Sequence, residues 1–229
     1  MCTILVHWHP TAREALVLAA NRDEFRERLA DDPMPIAPGI FAGRDRRAGG
    51  TWLAIGAAGL AAVTNIGGAP PAPDRRSRGE LPLLALAGTL PSSFDAWNPF
   101  NLLVADAAGI RVIVHRDGAP TPRILWLRPG AHAIVNEPFG AETSGRAARA
   151  AELVAAATPD MATLADHGGI GSDGLCHHGP AYGTVSATVI ALDGARHVVR
   201  YLHADGLPCR ARPIDLTNAA RAATGAALP

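Results

Sequence analysis

Short apolar runs come in pairs along this chain, each pair closed by a turn rich in glycine, proline or aspartate, and that spacing suits antiparallel strands far better than long helices. Residues 2–8 and 14–23 predict a first hairpin, joined through His9-Pro10-Thr11-Ala12. Residues 50–55 with 59–64, 100–105 with 110–115, 123–127 with 132–135, and 183–192 with 197–202 predict four more, the last turned at Asp193-Gly194. Pro33, Pro35 and Pro38 predict a loop between the first two pairs. Helices are few. Ser77-Arg78-Gly79-Glu80 has the capping-box pattern and Pro82 suits a first turn, so a helix should run through residues 83–86. The alanine-rich stretch 143–157 should be helical with Leu153 and Val154 on its apolar side, and a short helix should follow Leu216. This distribution predicts an α+β fold of stacked layers. Two sheets covered by helices, or one sheet with helices on one side, fit it equally. At 229 residues and 48% hydrophobic, with no internal repeat or linker, residues 1–229 read as one domain.

Charge and composition exclude several classes of function. Twenty-one basic residues balance twenty-one acidic ones, and Arg75-Arg76-Ser77-Arg78 is the densest basic run, so nucleic acid is not an expected partner. Lysine is absent, which removes Schiff-base chemistry and any Walker-type phosphate loop. The arginine, alanine, glycine and proline bias suggests a GC-rich bacterial genome. Three widely separated cysteines do not make a disulfide framework. No apolar stretch reaches the ~18 residues of a membrane span and no charged leader opens the chain, so a cytoplasmic protein without a membrane span is expected.

Cys2 directly precedes the first apolar run. Initiator methionine is normally removed before so small a residue, leaving Cys2 with both a thiol and a free α-amine. With a pKa near ~7.7 to 8.0, that amine can accept the thiol proton without a separate histidine. The plainer alternative is a small side chain packed in a strand. Strand parity puts Cys2, Ile4, Val6 and Trp8 on one face and Thr3, Leu5, His7 and His9 on the other, so His7 and His9 are poorly placed as bases. In the second strand Asn21 and Asp23 point one way, Arg22 and Glu24 the other. Asn65 and Asn136 follow apolar strands, where a side-chain amide can meet a developing oxyanion or simply begin a turn. Cys176-His177-His178, near His167 in a glycine-rich loop, has residue types that suit zinc or haem. It lacks the usual CxxC or HxxxH spacing, and Pro208-Cys209 runs opposite to a Cys-Pro haem motif, so these residues are read as a polar loop and no metal is assigned.

Met1-Cys2, Asn21-Arg22-Asp23-Glu24, Gly49-Gly50-Thr51-Trp52-Leu53, Leu60-Ala61-Ala62-Val63-Thr64-Asn65, Ser77-Arg78-Gly79-Glu80-Leu81, Phe100-Asn101-Leu102-Leu103-Val104-Ala105-Asp106, Val135-Asn136 and Tyr182-Gly183-Thr184 occur in that order. Taken together they resemble the NRDE family, also called the transport and Golgi organisation protein 2 family. The resemblance implies the four-layer αββα sandwich of N-terminal nucleophile hydrolases. More distantly, the pattern is similar to penicillin V acylases and bile salt hydrolases. It implies a catalytic set of Cys2, Asp23, Asn65 and Asn136, with Asp23 holding the α-amine and the asparagines steadying an oxyanion. Asn21, Arg22 and Arg78 count as substrate-binding residues on the same resemblance. Two departures stand out. The acylases use Arg-x-x-Asp where Arg22 and Asp23 are adjacent, leaving Arg22 open to an ion pair with Glu24 or another acid. Family members typically carry arginine where this chain has Val185, which suggests altered substrate preference or lost hydrolysis.

Two functions follow. In one, Cys2 hydrolyses a small amide, ester or thioester, with no cofactor required. In the other, which the family resemblance implies through links to haem trafficking and to lipid and acyl-CoA homeostasis, the protein is a non-enzymatic carrier. Haem would then be its ligand, held axially by a histidine or cysteine, with His177 or His178 in the adaptable loop as candidates.

Overall fold

The computed structural model describes residues 2–68, 72–119, 121–169 and 173–225. The expected removal of Met1 concerns a residue outside these. Strands β1 (Thr3–Trp8) and β2 (Leu16–Phe25) form the first hairpin, in register from Thr3↔Asn21 to Trp8↔Leu16. The proline-containing segment is not a loop: β3 (Ala30–Ala37) runs through Pro33 and Pro35. It pairs only with β4 (Ile40–Asp45), with irregularities at Asp31/Met34 and Pro35/Ala37. Edge strands tolerate proline because the missing N–H needs no second neighbour.

Strands β5 (Leu53–Gly56) and β6 (Gly59–Asn65) follow. A 3₁₀ turn over Arg78–Glu80, whose Gly79 N–H donates to the Ser77 hydroxyl at 3.2 Å, leads into α1 (Leu81–Leu86). Strands β7 (Phe100–Asp106) and β8 (Gly109–His115) form the expected pair. β9 (Arg123–Trp126) and β10 (Gly130–Ile134) do not pair with each other. β9 extends the sheet of β8, whereas β10 crosses to lie against β1. The crossing gives β1 a neighbour on each side, so the strand that begins beside Cys2 lies inside its sheet. Helices α2 (Gly145–Ala156) and α3 (Met161–Leu164) precede strands β11 (Tyr182–Leu192), β12 (Val198–Asp205) and β13 (Ile214–Asp215), and α4 (Thr217–Thr224) comes last.

The strands make two antiparallel sheets, one ordered β10-β1-β2-β11-β12-β13 and the other running β3 to β9 in sequence order. Alternating side chains supply three cores. Ile4, Val6, Leu18, Ile55, Leu103, Val112, Ile134 and Tyr201 fill the space between the sheets. On the far side of the first sheet, Leu5, Val17, Ala19, Val135 and Val189 pack with Ala150 and Val154 of α2 and Leu164 of α3. On the far side of the second, Val63, Leu102, Val104 and Ile113 pack with Leu81 of α1, Phe94 and Trp97. The result is the αββα layering. No helix among the described residues is long and apolar enough to cross a membrane.

One buried amide ties the sheets together at the end that carries Cys2. Asn101 on β7 is fully buried and donates to the Thr64 hydroxyl (3.0 Å) and to the carbonyls of Val135 (3.0 Å) and Glu137 (2.8 Å), while its oxygen accepts from the Phe139 N–H (3.0 Å). The segment leaving β10 in the first sheet is thereby fixed to β6 and β7 of the second. Asn101→Val keeps the volume but orphans these groups, and we expect it to destabilise the fold by about 2 to 4 kcal/mol. Chemical denaturation of the two proteins checks this, and a loss under 1 kcal/mol would contradict the clamp.

Candidate active site

Register decides which side chains meet Cys2. One step beyond Thr3↔Asn21, Cys2 falls beside Arg22, and two steps beyond Ile4↔Ile134 it falls beside Asn136. Ile4, Ala20 and Ile134 belong to the core between the sheets, so Cys2, Arg22 and Asn136 lie at the rim of that inner face. Thr3, Asn21 and Asp23 belong to the opposite, helix-covered face.

Asn21, expected to line the pocket, instead faces the helical layer. It is buried, and its amide donates to the carbonyls of Leu164 (2.9 Å) and Leu175 (2.8 Å), which fastens α3 and the loop before β11 to the sheet. Asp23 reaches Cys2 through its main chain, the Cys2 Sγ lying 4.0 Å from the Asp23 carbonyl oxygen. That carbonyl also accepts from the Tyr182 hydroxyl at 2.9 Å. The Asp23 carboxylate is buried and accepts from Arg146 (2.7 Å) and the Thr184 hydroxyl (2.7 Å). Arg146 donates in addition to the Thr3 hydroxyl (2.8 Å) and the carbonyls of Gly174 and Leu175 (both 3.3 Å). Sequence reasoning passed over Arg146. Its signal was an arginine in register with Ala150 and Val154, the other buried residues of α2, at steps of four.

Half-buried Cys2 has its thiol pKa raised by burial and by the Asp23 charge, with Arg22 acting in the opposite direction. Arg22 is itself buried, its guanidinium stacked 4.5 Å from the Trp52 ring centroid and 3.8 Å from Asp45. The acid it meets is Asp45; Glu24 pairs with Arg28 at 3.2 Å. Arg78 comes from the second sheet's side and donates to the Pro99 carbonyl at 3.0 Å. Burial lowers its pKa, and a thiolate at Cys2 would raise it, so both guanidinium groups act on the thiol. The approach that holds Arg78 there needs two glycines: a Cβ on Gly50 would stand 2.5 Å from the Gly79 carbonyl, and Thr51 N–H donates to that carbonyl at 2.8 Å.

Asn65 is exposed beside Arg78, Gly67, Asn98, Pro99 and Arg116, which line a cleft of about 500 Å³. Asn136 donates its amide N–H to the Asn65 carbonyl at 2.6 Å, and the Gly67 N–H returns a bond to the Asn136 carbonyl at 2.9 Å. One of the two Asn136 amide hydrogens is thereby committed to Asn65, and the Asn136 Oδ1 is buried without a hydrogen-bond partner among the described residues. Val185 is half-buried at the irregularity of β11 between Thr184 and Ser186. Burial and the Arg146 charge hold the pKa of His177 below the ordinary value, and its Nε2 is buried without a hydrogen-bond partner among the described residues. The loop around it is not simply polar, because Cys176 is buried with its sulfur 3.7 Å from that of Cys209.

Two stacked antiparallel sheets between helical layers, with a cysteine entering the first inner strand, define the N-terminal nucleophile hydrolase type of fold. A solved structure of this type, the Caenorhabditis elegans N-acylethanolamine-hydrolyzing acid amidase ortholog, superposes with a TM-score of 0.51 at 11% identity, covering 85% of this chain and 93% of that one. Residues 1–167 match the family described as Transport and Golgi organisation 2, and the chain belongs to that family. The Bos taurus Transport and Golgi organization protein 2 homolog is 30% identical over 86% of this chain and 91% of its own length. The Mus musculus and Homo sapiens homologues are 33% and 34% identical over 59% of this chain, and the matched region spans 57% of each.

The electrostatics give a direct test. Arg22 favours the thiolate, so removing its charge raises the Cys2 pKa further. We expect Arg22→Met to move the pH midpoint of Cys2 alkylation upward and to slow labelling at pH 7. Asp45 keeps Arg28 at 2.8 Å and is not orphaned by the change. Iodoacetamide labelling with peptide mapping checks this, and an unchanged midpoint would remove Arg22 from the thiol's surroundings.

Proposed function

We propose that the protein hydrolyses a small amide, ester or thioester, with Cys2 as nucleophile. The observation that carries this reading is the convergence of Arg22, Asn136 and the Asp23 carbonyl on the Cys2 end of β1. After removal of Met1, the Cys2 α-amine takes the thiol proton and the thiolate attacks the substrate carbonyl carbon. Charge moves to oxygen, where the side-chain amides of Asn65 and Asn136 are the assigned donors. The α-ammonium then protonates the departing nitrogen, oxygen or sulfur, leaving an acyl thioester on Cys2. Water gives a proton to the amine, attacks that thioester and releases a carboxylic acid and the free thiol. The Asp23 main-chain carbonyl, 4.0 Å from the Cys2 sulfur, accepts from the amine, and Arg22 and Arg78 favour a substrate bearing a carboxylate or phosphate near the scissile bond.

Untagged protein incubated with short-chain nitrophenyl esters and acyl thioesters tests this by intact mass and product release. A covalent acyl adduct mapped to Cys2, with turnover reduced at least a hundredfold in Cys2→Ala, is the expected result. Equal turnover in the variant overturns the reading.

A second reading, carriage of haem, draws support from one observation: the His177 Nε2 is buried without a hydrogen-bond partner among the described residues. Haem titration of wild type and His177→Ala is the check. A Soret shift present in the first and lost in the second supports carriage, and the same spectrum in both excludes this ligand.

A further inference from the structure

Four side chains from three separate parts of the chain meet in a cluster that includes neither Cys2 nor any residue lining the Asn65 cleft. His167 follows α3, Cys176 and His178 belong to the loop before β11, and Cys209 follows β12. One ligand atom from each of the four lies within 4.8 Å of every other. The two sulfurs are 3.7 Å apart, the Nε2 atoms of His167 and His178 are 3.0 Å apart, and the His178 Nε2 is 3.6 Å from the Cys176 sulfur and 3.3 Å from that of Cys209. We propose that these residues form a structural zinc site of the Cys₂His₂ type.

The distances fit the edges of a small tetrahedron. Zinc–sulfur bonds of about 2.3 Å and zinc–nitrogen bonds of about 2.0 to 2.1 Å give edges of about 3.8 Å between sulfurs, 3.3 Å between nitrogens and 3.6 Å for mixed pairs. Four of the six edges fall within about 0.3 Å of these values, and the two between His167 and the sulfurs are no longer than 4.8 Å. Hydrogen bonding explains the cluster less well. Two facing imidazole nitrogens can share only one proton, and thiols are weak donors and acceptors.

The backbone around the cluster is already fixed. The Cys176 N–H donates to the Asp166 carbonyl at 2.9 Å, and the Asp166 carboxylate is held by Arg149 of α2 at 2.7 Å and by the Gly168 N–H at 3.0 Å. A Cβ on Gly174 would stand 2.2 Å from the His167 carbonyl carbon, and one on Gly168, at φ +67°, would stand 2.6 Å from the Gly174 nitrogen. Only glycine permits this approach, which brings His167 across to Cys176 and His178. Cys209 is presented by a turn in which the Arg210 and Ala211 N–H groups both donate to the Leu207 carbonyl. Cys176 and His178 face the cluster, and the intervening His177 is outside it, its N–H donating to the Thr184 hydroxyl at 2.9 Å.

Two cysteines and two neutral imidazoles select zinc. Thiolate and imidazole in tetrahedral array favour it over hard cations, and four protein ligands leave no open position for catalysis. Both thiols ionise as the ion binds, so zinc enters as Zn²⁺ with the release of two protons and no change of oxidation state. The bound ion would pin the loop whose Gly174 and Leu175 carbonyls hold Arg146. The inference stands independently of whether Cys2 is a nucleophile.

Elemental analysis of untagged protein purified without chelator should give one zinc per chain, retained in Cys2→Ala and lost from both Cys176→Ser/Cys209→Ser and His167→Ala/His178→Ala. Should those variants fail to fold, wild-type protein stripped by a chelator and titrated with Co²⁺ provides the second measurement. Intense visible bands of tetrahedral cobalt, a near-ultraviolet thiolate charge-transfer band and an endpoint at one equivalent are expected, together with a higher thermal midpoint on reloading with Zn²⁺. No cobalt spectrum, metal retained in both double variants, or a wild-type mass lighter by two hydrogens with a mapped Cys176–Cys209 disulfide would each overturn the proposal.

Discussion

The guanidinium of Arg146 sits where three layers of the protein meet. It comes from α2, passes through the helical core and reaches Asp23 on β2, Thr3 on β1 and the carbonyls of Gly174 and Leu175 in the loop before β11. Both charged groups are almost fully buried. Desolvating such a pair is costly, and hydrogen bonds to every side offset the cost. Removing one partner would leave the other as an uncompensated buried charge, a loss of about 3 to 5 kcal/mol. The pair therefore acts less as glue than as a constraint: the helix, the first two strands and the loop have one arrangement that satisfies it.

That constraint has a functional consequence at Cys2. Asp23 has its carboxylate toward the helical layer and its carbonyl toward the thiol. Fixing the side chain fixes the main chain, so the neighbourhood of Cys2 is set from the face of the sheet it does not share. On the inner face, Arg22 comes from β2, and the Asn101 clamp holds the two sheets together at that end. The rim can then be polar and open while the groups behind it are rigid, the arrangement a nucleophilic site requires.

The loop at residues 174–178 links this site to the cysteine and histidine cluster. Leu175 offers its carbonyl to Asn21 and Arg146, Cys176 and His178 turn to the cluster, and the His177 N–H donates to the Thr184 hydroxyl that holds Asp23. A single extended segment thus carries both the support for the buried ion pair and half of a four-residue ligand set. The short distances in the cluster follow from the same glycine-permitted backbone approach that closes the loop.

The sequence alone determined much of the αββα fold. Paired apolar runs with period two specify antiparallel strands whatever their partners, and the ordered family blocks specify how the layers stack. It also singled out Cys2, Arg22, Asp23, Arg78, Asn65 and Asn136, because each ends or begins a strand or turn with a residue type able to do chemistry. Tertiary structure decided the rest. β3 is a strand despite Pro33 and Pro35 because an edge needs bonds on one side only, and β9 and β10 separate because β1 needs a second neighbour. Parity grouped Asn21 with Asp23 correctly, but only the packed helices show that this face looks away from the thiol and that Arg146 is its counter-ion. Likewise, no local spacing brings residues 167, 176, 178 and 209 together. Their convergence depends on backbone approaches between distant segments, and a motif search along one strand of sequence has no access to those.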